Sequence, residues 1–473
     1  GETLAFADHR LQQLTLDASV EGLDDPSLSA ELGIDRLSAA GQHFSRVDMT
    51  LDGRLSAHQL ELEVSAGRWM ALSRAALRLE GGLAREQQRY AGRATLLDLD
   101  TEMGDMRLAE PMVFGADLAT ARVQIRPFCI RREQGGTLCL EETLEAGAEQ
   151  GQARLAVSDL PMELLEPWLP EEWSASGETE LQLQASWRQG GQQWSLEADL
   201  ESRLDLAGVD SYGQPWSLEN TRLRANIDAG QAQVALDLEL MLDDAGRVQL
   251  DLLLDDPLGA GLLDGTLALH DVELSRYRPL APGLEELEGV LFGRLAITGE
   301  RDNPDLDGNL ELAGLRASGF ELPLVVEDGR LRIEFAGDSG RIMGYVATEE
   351  GRLVIDGSAE WPAVDAWSID IQLDGTQQPL LAGLPQFGRL RVAPDISIAI
   401  NPELLQVRGD VRVPWARLHI GDSPPSAVSP SPDEIIITRR DEMRARRQAA
   451  VEATATPRRA YPAMTTTRVR GPW

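Results

Sequence analysis

The sequence contains no lysine: all 44 of its Lys or Arg residues are arginine, set against 78 Asp and Glu for a net charge of −34 over 473 residues. So acidic a chain is excluded from the nucleic-acid binders, whose affinity rests on neutralising phosphates with basic side chains. Its surface as a whole is equally unsuited to electrostatic docking on anionic lipid head groups. Aromatic residues are scarce at 5%, unlike a string of β-sandwiches each built around a buried Trp or Tyr. No run approaches the ~18 apolar residues that span a bilayer, and the opening GETLAFADHR lacks the parts of a signal peptide. Beginning on Gly, the sequence reads as an interior piece of a longer chain.

Cysteine is nearly absent too. The two residues, Cys129 and Cys139, flank a turn at Glu133–Gly136, which places them near each other across a hairpin. That arrangement is compatible with a disulfide in an oxidising compartment and also with two free thiols, because spacing does not fix connectivity.

What the sequence has in abundance is alternation. Glu180–Trp187 (ELQLQASW), Gln233–Leu242 (QVALDLELML), Arg330–Phe335 (RLRIEF) and Trp367–Leu373 (WSIDIQL) alternate apolar and polar residues. Strand side chains point to opposite faces in turn, so each segment has one apolar and one polar face. Turn residues punctuate the segments at Leu51-Asp52-Gly53, Asp228-Ala229-Gly230, Asp244-Ala245-Gly246, Asp328-Gly329 and Asp356-Gly357. The expected architecture is all-β: an extended antiparallel sheet coiled into a hydrophobic groove, with two short helices and a disordered C-terminal tail. About thirty strands at ~4.8 Å each give a sheet roughly 140 Å long.

The helices are expected at Asp159–Trp173 (DLPMELLEPWLPEEW) and Glu273–Leu287 (ELSRYRPLAPGLEEL). Each opens a repeat: Pro170 precedes Gly177 by seven residues, as Pro282 precedes Gly289. A second repeat sets Pro26, Leu28, Ala30 and Leu32 against Pro304, Leu306, Gly308 and Leu310. Such repetition points to an extended stack in which each unit covers its neighbours. The expected divisions are residues 1–158, 159–273, 274–422 and a tail, 423–473. The tail starts Pro/Ser-rich; its residues 439–473 then carry nine Arg against three acidic residues, with a short helix expected near Asp441–Val451.

Three motifs invite a catalytic or metal reading and are better read as structure. Gly337-Asp338-Ser339-Gly340 spells a serine-protease motif, but His9, His43, His58, His270 and His419 stand in no supporting pattern, and the same residues suit a hairpin turn. Asn303–Gly308 imitates a calcium loop, yet Gly314 stands where the closing Glu belongs. Glu171-Glu172 lacks the aromatic platforms of a glycosidase cleft. No enzyme activity, cofactor or metal is expected.

Taken together, the tandem amphipathic strands, the Pro-x-Leu units, the Leu-Pro helices leading into a Gly-started strand, and DSPPSAVSPSPDEIII (residues 422–437) resemble the TamB type of the AsmA-like family of diderm bacteria. The resemblance implies an inner-membrane-anchored protein crossing the periplasm, a groove that carries phospholipid between membranes, and an outer-membrane partner of the Omp85 type. It also implies an anchor upstream of this sequence and a β-rich domain after Ile437, where an Arg-rich stretch stands instead. The residues expected to line the groove against phospholipid acyl chains are Leu181, Leu183, Leu236, Leu238, Leu240, Leu295, Ile297, Leu331, Ile333, Phe335, Ile369, Ile371, Ile396 and Ile398. Two other readings remain open: an assembly factor for outer-membrane β-barrels whose strand edges template incoming chain, and a structural β-solenoid with a filled interior.

Overall fold

The computed structural model describes residues 3–418, apart from 7–8, 40–41, 70–71, 102–103, 211–212, 282, 321 and 385–387, together with residues 439–452. Alternation and turn chemistry produce what they predict: one sheet of 29 strands among the described residues, built almost throughout from antiparallel neighbours in chain order. It lies within a unit spanning Gly1–Arg417; a second unit, Leu418–Trp473, contains the helix Arg439–Glu452, close to where a helix is expected. The disorder expected of the rest of the tail concerns residues 423–438 and 453–473, which lie outside the described residues. Gly151–Pro161, which contains the boundary 158/159, pairs with Trp173–Arg188 through a register shift after Val157, and Leu262–Glu273 ends at the boundary 273/274.

The sheet forks once. The first half of strand Arg89–Thr101 pairs with Met112–Asp117 and its last residues with Gly104–Leu108. One branch continues through Arg122–Ile125 and Leu144–Gly147, the other through Phe128–Arg132 and Thr137–Leu140, and both rejoin at Gly151–Pro161. Cys129 and Cys139 are paired opposite each other in the second branch and form a disulfide with Cα atoms 4.1 Å apart. A crosslink over so short a loop stabilises by about 2–3 kcal/mol, chiefly by restricting the unfolded chain. It falls where the strands are only four or five residues long and the ladder alone is weakest.

Neither Pro-containing segment forms an α-helix. Both shrink to single 3-10 segments, Met162–Trp168 and Leu274–Leu280, while Trp173 already begins the next strand. Pro167 and Pro279 lie inside them and remove backbone donors, and segments this short do not overcome the cost of helix nucleation. The repeated glycines do have a shared cause. Gly177 and Gly289 both adopt positive φ, +118° and +145°, and a Cβ at Gly177 would stand 2.1 Å from the Arg203 carbonyl oxygen.

Some of the expected punctuation falls inside strands. Leu51–Gly53 belongs to Gln42–Arg54, and Asp356–Gly357 lies in the middle of Arg352–Ala363. Gly357 there serves close packing, because a Cβ would meet the Asp370 carbonyl oxygen at 2.6 Å. Gly337–Gly340 is the hairpin tip its sequence suits, with the Ser339 hydroxyl donating to the Ala336 carbonyl at 3.0 Å. Asn303–Gly308 is strand from its first residue.

Bending is visible where long strands flank a short hairpin. Trp361 Nε1 donates to the Pro304 carbonyl at 3.0 Å, and Val364 N–H donates to Asp302 at 3.2 Å. Their strands, Arg352–Ala363 and Asn303–Ser318, are separated by two others. In a flat sheet they would stand about 14 Å apart. The Trp361 ring packs 5.9 Å from Phe335, so the sheet bends toward the side that Phe335 occupies.

Candidate functional site

The register decides which side chains share a face. Directly opposed residues in an antiparallel pair point the same way, so a row can be followed from strand to strand. One row runs Leu181, Leu200, Ala225, Leu238, Leu250, Leu267, Leu295, Gly308, Phe335, Gly340, Ala359, Ile369, Ile400. The adjacent row contains Leu183, Ala198, Ile227, Leu236, Leu252, Gly265, Ile297 and Leu306. On the other side lie Leu223, Leu240, Val248, Leu269, Gly293, Leu310, Ile333, Ile342, Gly357, Ile371 and Ile398. Leu331, Ile355, Leu373 and Ile396 belong to a fourth. Every residue expected to line a groove therefore stands on one face of one sheet.

The same face continues toward the N-terminus, beyond the positions singled out from sequence. Leu32, Met49, Leu62, Leu77 and Leu97 form a row there, and Leu155 connects to Leu183 across the rejoined fork. Alternation in Leu28-Ser29-Ala30-Glu31-Leu32 was the available signal for it.

Among the described residues no second sheet or helical layer packs on most of this face; elements touch mainly their ladder neighbours, with the 3-10 segments at the rim and the contact between Asn303–Ser318 and Arg352–Ala363 where the sheet bends. Of the expected lining residues only Leu295 is buried, at 5% exposure, and the others are half-buried by their lateral neighbours alone. Toward the start of the sheet Leu16 and Val20 are 64% and 67% exposed. Exposed apolar surface of this continuity is of the kind that marks interaction sites.

The opposite face is polar and laced with cross-strand ion pairs, such as Arg74–Glu63 and Arg78–Glu61 at 2.8 Å and Arg224–Glu201 at 3.1 Å. Each is exposed and worth at most about 1 kcal/mol. Two concavities, about 940 and 640 Å³, open among polar-face side chains such as Arg341, Asp356 and Asp370, or Gln124, Glu145 and Gln152.

At one rim the apolar face changes character. The segment Leu274–Leu280 overhangs it, packing Tyr277 against Leu242, Ala245 and Val272. Arg278 Nη2 holds the almost fully buried Asp210 carboxylate at 2.5 Å, which fastens that segment to the loop before Pro215–Gly230. Nearby, Trp173 and Trp216 meet edge to face at 4.5 Å. Thr179 and Ser202 hydrogen-bond each other at 2.8 Å, with Met162 of the other 3-10 segment above them. Burial raises the Tyr277 phenol above its ordinary range, so it stays protonated as a donor.

Comparison with known proteins adds three findings. The family model of the TamB N-terminal domain matches residues 1–312, and that of the TamB C-terminal domain matches residues 342–470. The C-terminal match thus begins inside the sheet, well before Ile437, where the sequence reading placed that domain's start. The translocation and assembly module subunit TamB of Haemophilus influenzae is 24% identical over 428 residues, 89% of this chain and 32% of that relative's length. No solved structure matches.

Proposed function

The chain belongs to the TamB family, and from that premise we propose that it forms a stretch of a passive, non-enzymatic conduit for phospholipid between inner and outer membrane. In this reading acyl chains lie along the apolar rows while head groups stay in water. The chain spans about a third of the curated relative it matches, 32%, so the inner-membrane anchor, the periplasmic location and an Omp85-type outer-membrane partner are proposed for the longer protein. The relative's name places it in a translocation and assembly module, and we propose the same module as the setting here.

One observation carries the reading: a continuous apolar face that, among the described residues, has no second layer over most of it. Each methylene withdrawn from water contributes ~0.8 kcal/mol, so a two-chain lipid is held firmly somewhere along the rows. Because successive strands present the same aliphatic side chains, neighbouring positions are nearly equal in energy and the lipid moves between them at small cost. The solenoid reading requires a filled interior, and the described residues have none. The assembly-factor reading draws on a separate feature, the last strand of the sheet, Leu404–Leu418, whose Val407, Val411 and Val413 are exposed.

Lipid mass spectrometry after detergent-free preparation separates these readings. The conduit predicts phospholipid co-purifying at about one molecule or more per chain. Lipid-free protein that crosslinks to nascent barrel strands would move the assembly reading ahead.

A further inference from the structure

Aromatic side chains are few, and three of them make the same kind of contact along one edge of the apolar face. Tyr90 lies across Gly81 of the neighbouring strand, where any Cβ would collide with its hydroxyl, and that hydroxyl hydrogen-bonds His58 Nε2, one strand further on, at 3.1 Å. Trp187 lies across Gly151 in the same way, and its Nε1 donates to the Gly147 carbonyl at 3.1 Å, again one strand further on. The Trp361 ring would stand 3.4 Å from a Cβ at Gly340, and its Nε1 donates to the Pro304 carbonyl at 3.0 Å, three strands away. The register puts each on the apolar face: Tyr90 stands opposite Leu83, and Trp187 and Trp361 are two residues beyond Ala185 and Ala359. An antiparallel meander places successive turns on alternate edges of its sheet. The turns beside these residues, at 85–88, 189–192 and 364–365, fall on one edge, opposite the edge that Leu274–Leu280 overhangs.

A ring that bonds a group two or three strands away draws those strands together on its own side, because in a flat sheet they stand about 10 or 14 Å apart. The intervening glycine leaves room for the ring. Such a bond is not general to aromatics at this edge: Trp194, opposite Trp187, makes none among the described residues. We propose that Tyr90, Trp187 and Trp361 are positioning residues that hold this edge rolled over the apolar rows, so that an acyl chain is contacted from the side as well as from below. The inference rests on the conduit reading and deepens it. A chain on a flat face keeps one side in water, whereas on a rolled face it gives up more apolar surface and binds more tightly. Lipid therefore favours the rolled form, and the three hydrogen bonds bias the sheet toward it before lipid arrives.

The test reads curvature and lipid affinity in the same variants. Spin labels at Asp307→Cys and Glu360→Cys report the roll: both positions are exposed on the polar face, in one cross-strand row, on strands Asn303–Ser318 and Arg352–Ala363. The native cysteines do not compete for label, being held in the Cys129–Cys139 disulfide. On the outer side of the bend the labels diverge, so flattening brings them closer. A variant carrying Tyr90→Phe, Trp187→Phe and Trp361→Phe keeps an aromatic ring at each position and removes the bonding groups. It is expected to show a shorter, broader label distance and about tenfold weaker binding of a short-chain diacyl phosphatidylcholine below its micelle concentration. Trp194→Phe is expected to change neither. If the triple variant does not fold, Trp361→Phe alone should still shorten the distance and weaken binding in part. An unchanged distance, an unchanged affinity, or an equal loss in Trp194→Phe overturns the clamps and leaves the conduit standing. Failure of the wild type to bind the probe sinks the conduit reading itself.

Discussion

Leu238→Arg is expected to lower the phospholipid carried per chain at least tenfold while the protein still folds, and Ile371→Glu should do the same more than halfway along the sheet. Leu238 is flanked by Ala225 and Leu250 across the ladder and by Leu236 and Leu240 along its own strand. In the lipid-free protein that face is open to water, so an ion there remains solvated and the fold loses only about 1–2 kcal/mol of lateral apolar contact. Acyl chains laid over the same position would strip the water away and leave an unpaired charge against hydrocarbon, at a cost of several kcal/mol. The two effects separate stability from carriage. Asp237→Arg, one residue away on the polar face and opposite Asn226 and Asp251, should leave both unchanged. Mass spectrometry of bound lipid with thermal melting of each variant checks this. Carriage by folded Leu238→Arg equal to that of wild type would remove the apolar rows from the lipid path.

The second large effect concerns the rim. Removing Arg278 takes its guanidinium from the Asp210 carboxylate, which is 3% exposed and also accepts from the Gln214 N–H. A buried charge stripped of its partner typically costs about 3–5 kcal/mol, and because Arg278 is itself 22% exposed the lower end is expected. Arg278 also donates to the Leu284 carbonyl, so Arg278→Ala should release the 3-10 segment as a unit. Amide exchange is the direct readout: protection should fall around Asp210–Trp216 and Leu274–Leu284, and hold in the distant hairpin Ser339–Ala347. Unchanged exchange in the first two stretches would show that the ion pair is not what fastens the overhang.

Most of this architecture was legible because its signal is local. A two-residue period reports directly which side chains share a face, and an antiparallel meander connects each strand to the next, so Leu181, Leu238, Phe335 and Ile369 could be assigned together without knowing the register. Glycines were misread for a physical reason. Gly357 in its Asp-Gly pair has the composition of a turn, yet in the strand it allows backbone to approach backbone on the apolar face. The Pro-containing segments were expected as helices, but the internal prolines limited each to a seven-residue 3-10 segment. The Cys129–Cys139 pairing was legible as geometry and needed the structure to settle it as a bond.

The central claim is that lipid touches one face of this sheet and not the other, and site-specific photocrosslinking tests it most directly. A photoreactive residue placed in turn at Leu236, Asp237, Leu238, Glu239 and Leu240, in protein loaded with phospholipid, reads the two faces of a single strand. The account predicts lipid adducts at Leu236, Leu238 and Leu240 and none at Asp237 and Glu239. Adducts without that two-residue period, or at none of the five positions, would contradict it.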